Sequence, residues 1–141
     1  MFTWTKGDSL KLSQHFSSHE FECPCGCKRQ KISKSLIAKL ESIRTKLKAP
    51  LKITSGYRCA TYQKKLRDAG HQTSPKRSQH ELGRAVDVAV QHDLMPYLLI
   101  NCAWHFKSIG DGTRIQSPFV HVDERRSRPR VWVYGEEKGT A

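Results

Sequence analysis

Apolar residues recur along this chain with two different periods. Ile32, Leu36, Leu40, Ile43 and Leu47 step by four, four, three and four, which predicts an amphipathic helix beginning at Ile32. Ser33 or Ser35 can cap its start, Pro50 blocks its continuation, and lysines and arginines fill its other face. Residues 51–54 read as a short strand, after which Gly56 turns the chain. Residues 61–69 predict a second, shorter helix ended by Gly70. Asp93 is placed to cap a third helix that carries Leu94, Tyr97, Leu98, Ile100 and Trp104. Pro96 falls in its first turn, where a missing N–H costs little. The remaining pattern is strand-like, at 86–90, 107–110, 113–116, 119–123 and 130–134. Asp111-Gly112 is a hairpin signal between the second and third of these.

The ends are less patterned. Residues 1–20 are polar and mixed, with Trp4, Leu10, Leu12 and Phe16 as scattered anchors, and predict a loosely structured lead-in packed across the domain. Residues 21–30 form a cysteine-bearing loop, 71–79 a polar loop, and 135–141 a disordered tail. There is no internal repeat and no linker. A length of 141 residues suits one domain with a modest core. The expected architecture is α+β, one domain over 21–134 with about three helices on a small, mostly antiparallel sheet that carries the functional site.

Composition narrows the partners. Twenty-five Lys and Arg stand against 13 Asp and Glu, a formal charge of +12. Such a charge favours anionic partners: nucleic acid, acidic lipid or an anionic cell wall. No nucleic-acid signature with interleaved aromatics is present, so a basic nucleic-acid-binding domain is the lesser reading. No run of eighteen apolar residues exists, so no membrane span is expected. The first residues lack the apolar core of a secretion signal, and synthesis in the cytoplasm is expected. The cysteines are five, Cys23, Cys25, Cys27, Cys59 and Cys102, and an odd count argues against a full disulfide framework.

The candidate chemistry gathers around Ser78-Gln79-His80-Glu81-Leu82-Gly83-Arg84-Ala85-Val86-Asp87-Val88. His80 and Asp87 are seven positions apart. On a straight strand they would be roughly 23 Å apart on opposite faces. On a helix they would be about 10 Å apart along the axis. They converge on one ion only if the chain turns between them, and Gly83 permits such a turn. Downstream, the alternation in Phe119-Val120-His121-Val122-Asp123 puts His121 and Asp123 on one face. His80, Asp87 and His121 would give two nitrogens and one oxygen, a set that suits zinc and leaves a fourth position for water. The plainer alternative is a turn cap, an arginine-paired aspartate and a strand histidine.

The run S-x-H-x-x-G-x-A-x-D followed by F-V-H-V-D resembles the zinc D-alanyl-D-alanine carboxypeptidase and endopeptidase family, in particular its small single-domain phage and bacterial members. Ser55-Gly56-Tyr57-Arg58 matches the family's S-G-Y-R segment, and Arg130-Val131-Trp132 resembles its R-x-W. Hedgehog signalling domains share the metal scaffold. The resemblance spans about residues 21–132. It implies Zn2+ on His80, Asp87 and His121 and hydrolysis of peptides in bacterial peptidoglycan. It implies a phage endolysin or cell-wall hydrolase, monomeric, acting after holin-type release or as a virion component. Arg58 matches the family arginine near the active site, and its fork suits a substrate carboxylate. Ser78 is a candidate for substrate binding or for a turn cap. The family's acidic residue three positions before the last zinc histidine is absent, since that position is Pro118. Asp123 is then the nearest candidate base, or else an orienting group behind a ligand histidine; Glu81 is a weaker candidate. A zinc-bearing wall-binding module without catalysis is the alternative that Pro118 permits. Cys23, Cys25, Cys27 and Cys59 are a possible second metal site, against free thiols or one disulfide.

Overall fold

The computed structural model describes residues 1–71 and 78–135. Most of the loop expected at 71–79 and of the tail expected at 135–141 therefore lies outside the described residues. Among the described residues the architecture is α+β, with three helices and two sheets.

The N-terminal residues are more ordered than a loose lead-in. β1 (Phe2–Thr5) pairs antiparallel with β2 (Arg29–Ile32). A 3-10 turn (Ser18–Phe21) sits between them, with a reciprocal Ser17–Glu20 capping box. Helix α1 (Lys34–Leu47) starts two residues later than its apolar period suggested. Ile32 closes β2, and Ser33 stays extended while its hydroxyl accepts from the Leu36 N–H at 3.3 Å. β3 (Lys52–Ser55) and α2 (Ala60–Asp68) follow near their expected places. β4 spans Ala85–Ala89.

A 3-10 turn (His92–Leu94) precedes α3 (Met95–His105), whose N-cap is Leu94, so Asp93 does not cap it by side chain. β5 (Ser108–Gly112) is longer than expected and runs through Asp111-Gly112, so that pair makes no hairpin. The reason is local: Asp111 Oδ1 accepts from Thr113 N–H at 3.0 Å and Thr113 Oγ1 at 2.6 Å, which turns the chain just beyond the strand. Residues 113–116 form no strand. β6 (Phe119–Asp123) and β7 (Arg130–Val133) complete the second sheet.

That sheet has the order β3-β4-β6-β5-β7, antiparallel throughout except for the parallel β5–β7 pair. Alternation decides what each face does. Val86 and Val88 of β4, Val120 and Val122 of β6 and Ile109 of β5 are buried in the core with Leu36, Leu40 and Ile43 of α1 and Leu98 and Cys102 of α3. Each such valine contributes about 1.5–3 kcal/mol over leaving it exposed. A register slip of one residue would bring all of them to the wrong face, so burial of the valines also fixes where the polar residues between them point.

Candidate metal centre

The odd positions of β4 and β6 alternate with the core valines, and they include Asp87, His121 and Asp123. In the register, Ser55 lies opposite Asp87, Asp87 opposite His121, His121 opposite Gly110, and Gly110 opposite Trp132. One row thus crosses all five strands. His80 reaches it from a turn. Glu81 N–H donates to the Ser78 carbonyl at 3.0 Å and Gly83 N–H to the His80 carbonyl at 3.2 Å. Gly83 has φ +71, and a Cβ there would come within 3.1 Å of the Lys31 backbone. The turn foreseen between the two ligands is there.

The three side chains meet. Asp87 Oδ1 lies 2.9 Å from His121 Nδ1 and 3.4 Å from His80 Nε2. One potential ligand atom from each lies within 4.8 Å of the others, and all three residues are buried. Ligand atoms held tetrahedrally at about 2.0–2.2 Å from zinc would stand about 3.3–3.6 Å apart; the Asp87–His80 separation matches this, and the Asp87–His121 one is shorter, at hydrogen-bond distance. The tautomers fit as well. His80 Nδ1 lies 2.7 Å from the Gly56 carbonyl, to which it must donate, so its lone pair is on Nε2 facing Asp87. His121 Nε2 is turned to Asp123 Oδ2 at 2.8 Å, which leaves Nδ1 toward the other two ligands.

The three groups shift one another's protonation. Burial pushes the Asp87 carboxyl up, but His80 and His121 outweigh it and hold the group far below the usual carboxylate range. Burial lowers the His80 pKa and so favours the neutral, ligating form. On His121 burial is outweighed by hydrogen bonds to Asp123 and Asp87, and its pKa is raised. These two carboxylates thus favour a positive charge on the ring.

Asp123 has a different position from that expected of a base. Its Oδ2 accepts from His121 Nε2 and from Arg125 Nη2 at 2.6 Å. Its Oδ1 accepts from the Arg125 backbone N–H at 3.1 Å and from Nε at 2.9 Å. Both oxygens are engaged, on the side of the imidazole away from Asp87, and the side chain is fully buried. Of the two roles expected of Asp123, base or orienting group, these hydrogen bonds suit the one that orients His121. Glu81 is not among the described residues that line the cleft.

Arg58 is part of the same structure. Its Nη2 donates to Asp87 Oδ2 at 3.1 Å, its Nε to Ser55 Oγ at 2.8 Å and its Nη1 to Gln63 Oε1 at 3.4 Å. Three of five N–H groups thus hold Arg58 against the back of a ligand, and two more remain for a ligand from the cleft. Ser78 Oγ accepts from the His80 N–H at 3.2 Å, the capping role, and the residue also lines the cleft.

The cleft is about 740 Å³ and contains His80, Asp87 and His121. Arg58, Arg125, Arg130, Trp132 and Tyr134 are on its walls, and Asp87 is its only carboxylate among the described residues. Trp132 stands 5.2 Å from the His121 ring, with Arg125 and Arg130 over its own face at 5.1 and 5.4 Å. Gly110 makes this possible: a Cβ there would lie 2.5 Å from Tyr134 Cε2 and 2.8 Å from Trp132 Nε1. Burial raises the Tyr134 phenol to about 12, so it is a hydrogen-bond donor at neutral pH. Sequence reading missed Arg125, Gln63, Gly110 and Tyr134. Tyr134 had a signal, two residues beyond Trp132 in the same alternation, and Arg125 had one, two residues beyond an acidic strand position. Gly110 and Gln63 had none.

Two buried imidazoles and a carboxylate converge in a cleft of an α+β domain as a candidate metal site. Residues 14–123 match the family model described as Peptidase M15, and the chain belongs to that family. M15 peptidases are zinc-dependent metallopeptidases, and this chain has residues placed to hold such an ion. No curated protein matches the chain.

Proposed function

We propose that the protein is a zinc peptidase that cleaves peptide bonds in the stem or cross-link peptides of bacterial peptidoglycan. The observation that carries this reading is the convergence of His80, Asp87 and His121 in an arginine-walled cleft, within the M15 match. His80, Asp87 and His121 would hold the ion. Bound there, zinc lowers the pKa of its water toward 7 and polarises a peptide carbonyl. The Asp123–Arg125 pair holds the His121 imidazole in one tautomer, and Arg58 orients the Asp87 carboxylate. The free N–H groups of Arg58 suit a substrate carboxylate, and Tyr134 can donate to an oxygen on which charge develops. The net charge of +12 draws the protein to anionic wall polymers. A phage endolysin or virion-associated hydrolase would use it in this way.

A second reading has an observation of its own. Pro118 replaces the family's acidic residue and Asp123 is fully engaged, which suits a zinc-bearing module that binds wall without cutting it. Digestion of purified peptidoglycan by the zinc-loaded protein, with fragments identified by mass, separates the two. New peptide termini next to D-amino acids, absent with His121→Ala, are expected. Zinc-loaded protein that binds sacculi and releases nothing would refute the peptidase reading.

A further inference from the structure

The four cysteines outside the cleft's ligand set converge as closely as the ligands do. Cys23, Cys25 and Cys27 come from the loop before β2, and Cys59 from the residue before α2. Their sulfurs all lie within 4.8 Å of one another. The Sγ–Sγ distances are 3.4 Å for Cys23–Cys25, 3.1 Å for Cys25–Cys59 and 3.7 Å for Cys23–Cys59. A disulfide requires about 2.05 Å, and none of the four is bonded. Four thiolates at about 2.3 Å from a tetrahedral zinc stand about 3.8 Å apart. We propose that Cys23, Cys25, Cys27 and Cys59 bind a structural zinc ion that fixes the wall of the cleft carrying Arg58.

N–H groups point at three of the four sulfurs. Cys27 N–H donates to Cys25 Sγ at 3.3 Å, Cys59 N–H to Cys23 Sγ at 3.4 Å and Gln30 Nε2 to Cys27 Sγ at 3.4 Å. N–H groups pointed at sulfur stabilise its charged form. The loop is held in this shape from outside. Lys6 Nζ binds the Cys23 and Cys25 carbonyls at 2.6 and 2.5 Å, which turns those oxygens outward and brings a positive charge near the cluster. Gln30 Oε1 accepts from the Cys23 N–H at 2.8 Å, and its Nε2 also donates to the Cys27 carbonyl at 3.1 Å. Four cysteines drawn together by chance would not need a lysine and a glutamine to arrange their backbone.

The position gives the ion a task. Cys59 directly follows Arg58, whose guanidinium holds Asp87. Gly56, three residues before Cys59, accepts from His80. Pro24, inside the cysteine loop, lines the same cleft. Without the ion, the loop meets this turn through weaker links such as Tyr57 N–H to the Phe21 carbonyl at 2.9 Å. Four metal–sulfur bonds would tie loop and turn together, and with them the supports of two ligands.

The inference does not depend on the protein being a peptidase, because its readout is the metal and its donors. The full chain, purified under reducing conditions, should contain two zinc ions. His121→Ala should keep one, and X-ray absorption at the zinc edge of that variant should show sulfur neighbours at about 2.3 Å. Its cobalt-substituted form should show thiolate-to-metal charge-transfer absorption. Cys25→Ser with Cys27→Ser should keep one zinc with nitrogen and oxygen neighbours. If this double variant fails to fold, the absorption spectrum of His121→Ala, with all cysteines intact, still decides. A His121→Ala protein that holds no zinc, with all five thiols free to alkylation or with a disulfide detected by mass, would overturn the proposal.

Discussion

Asp123→Asn tests how the centre is held. The carboxylate receives four hydrogen bonds, three from Arg125 and one from His121 Nε2. An amide of the same size must put its NH2 group where one of the two oxygens stands. At Oδ1 it would face two Arg125 donors; at Oδ2 it would face the imidazole N–H and a third. Either way two donors lose their acceptor, and His121 is less firmly fixed. Loss of an orienting partner of this kind costs about 10–100-fold in metal affinity, which is about 1.4–2.8 kcal/mol. Competition with a chelator measures that affinity, and turnover on peptidoglycan fragments at saturating zinc measures the rest. We expect weaker zinc binding and turnover that recovers to within about tenfold once zinc is saturating. A turnover loss of about 10²–10⁴-fold with unchanged zinc affinity would refute the reasoning, because that is the behaviour of a proton-transfer group.

Gly110→Ala should destabilise the protein by about 1–3 kcal/mol in chemical denaturation, because its Cβ has no room beside Tyr134 and Trp132; an unchanged midpoint would show that the two rings do not need that space. Leu40→Ala, at a fully buried position of α1, should cost about 2–5 kcal/mol in the same assay. Glu124→Gln has a pH signature. Burial raises the Glu124 carboxyl, but Lys39, Ser33 and Ser35 donate to it and hold its pKa below the usual value. A depressed carboxyl stabilises the fold above its unfolded pKa, and that contribution is lost as pH falls through the folded one. The variant should therefore be about 1–3 kcal/mol less stable at neutral pH, with the difference closing in acid; a difference independent of pH would exclude the carboxylate as its source.

What the sequence conveyed depended on whether its cues were local. α1 was legible because four-residue apolar steps are bounded by Ser33 and Pro50, and only the fate of Ile32 differed. β6 was legible to its ends because a short alternation begins directly after Pro118. Residues 113–116 were misread because Asp111-Gly112 has the composition of a hairpin turn, while its aspartate side chain serves instead to turn the chain beyond β5. β1 was missed because its partner β2 is far along the chain. The parallel pairing of β7 with β5 was also out of reach, since alternation tells which face a residue takes and not which way the strand runs. In the site, His80 and Asp87 could be paired from the intervening glycine and the motif. The role of Asp123 could not be chosen, because alternation put it on the same face as His121 without saying which ring nitrogen it meets.

The charge count of the centre bears on what it accepts. Asp87 and Asp123 bring two negative charges, and Arg58 and Arg125, each bound to one of them, bring two positive ones. With neutral imidazoles the protein's own charges cancel. A divalent ion therefore adds two charges that no described neighbour offsets, in a cluster where Asp87, His121 and Asp123 are nearly out of water. In such surroundings uncompensated charge is costly, and the cheapest compensation comes from the cleft side, where the described walls carry Arg130 but no free carboxylate. Under the proposed function, an ion here would draw electron-rich groups from the cleft: the carbonyl oxygen at the scissile bond, and a carboxylate within reach of Arg58. A peptide that brings a carboxylate would meet this balance better than a neutral or cationic one, in keeping with the wall peptides proposed as its substrate.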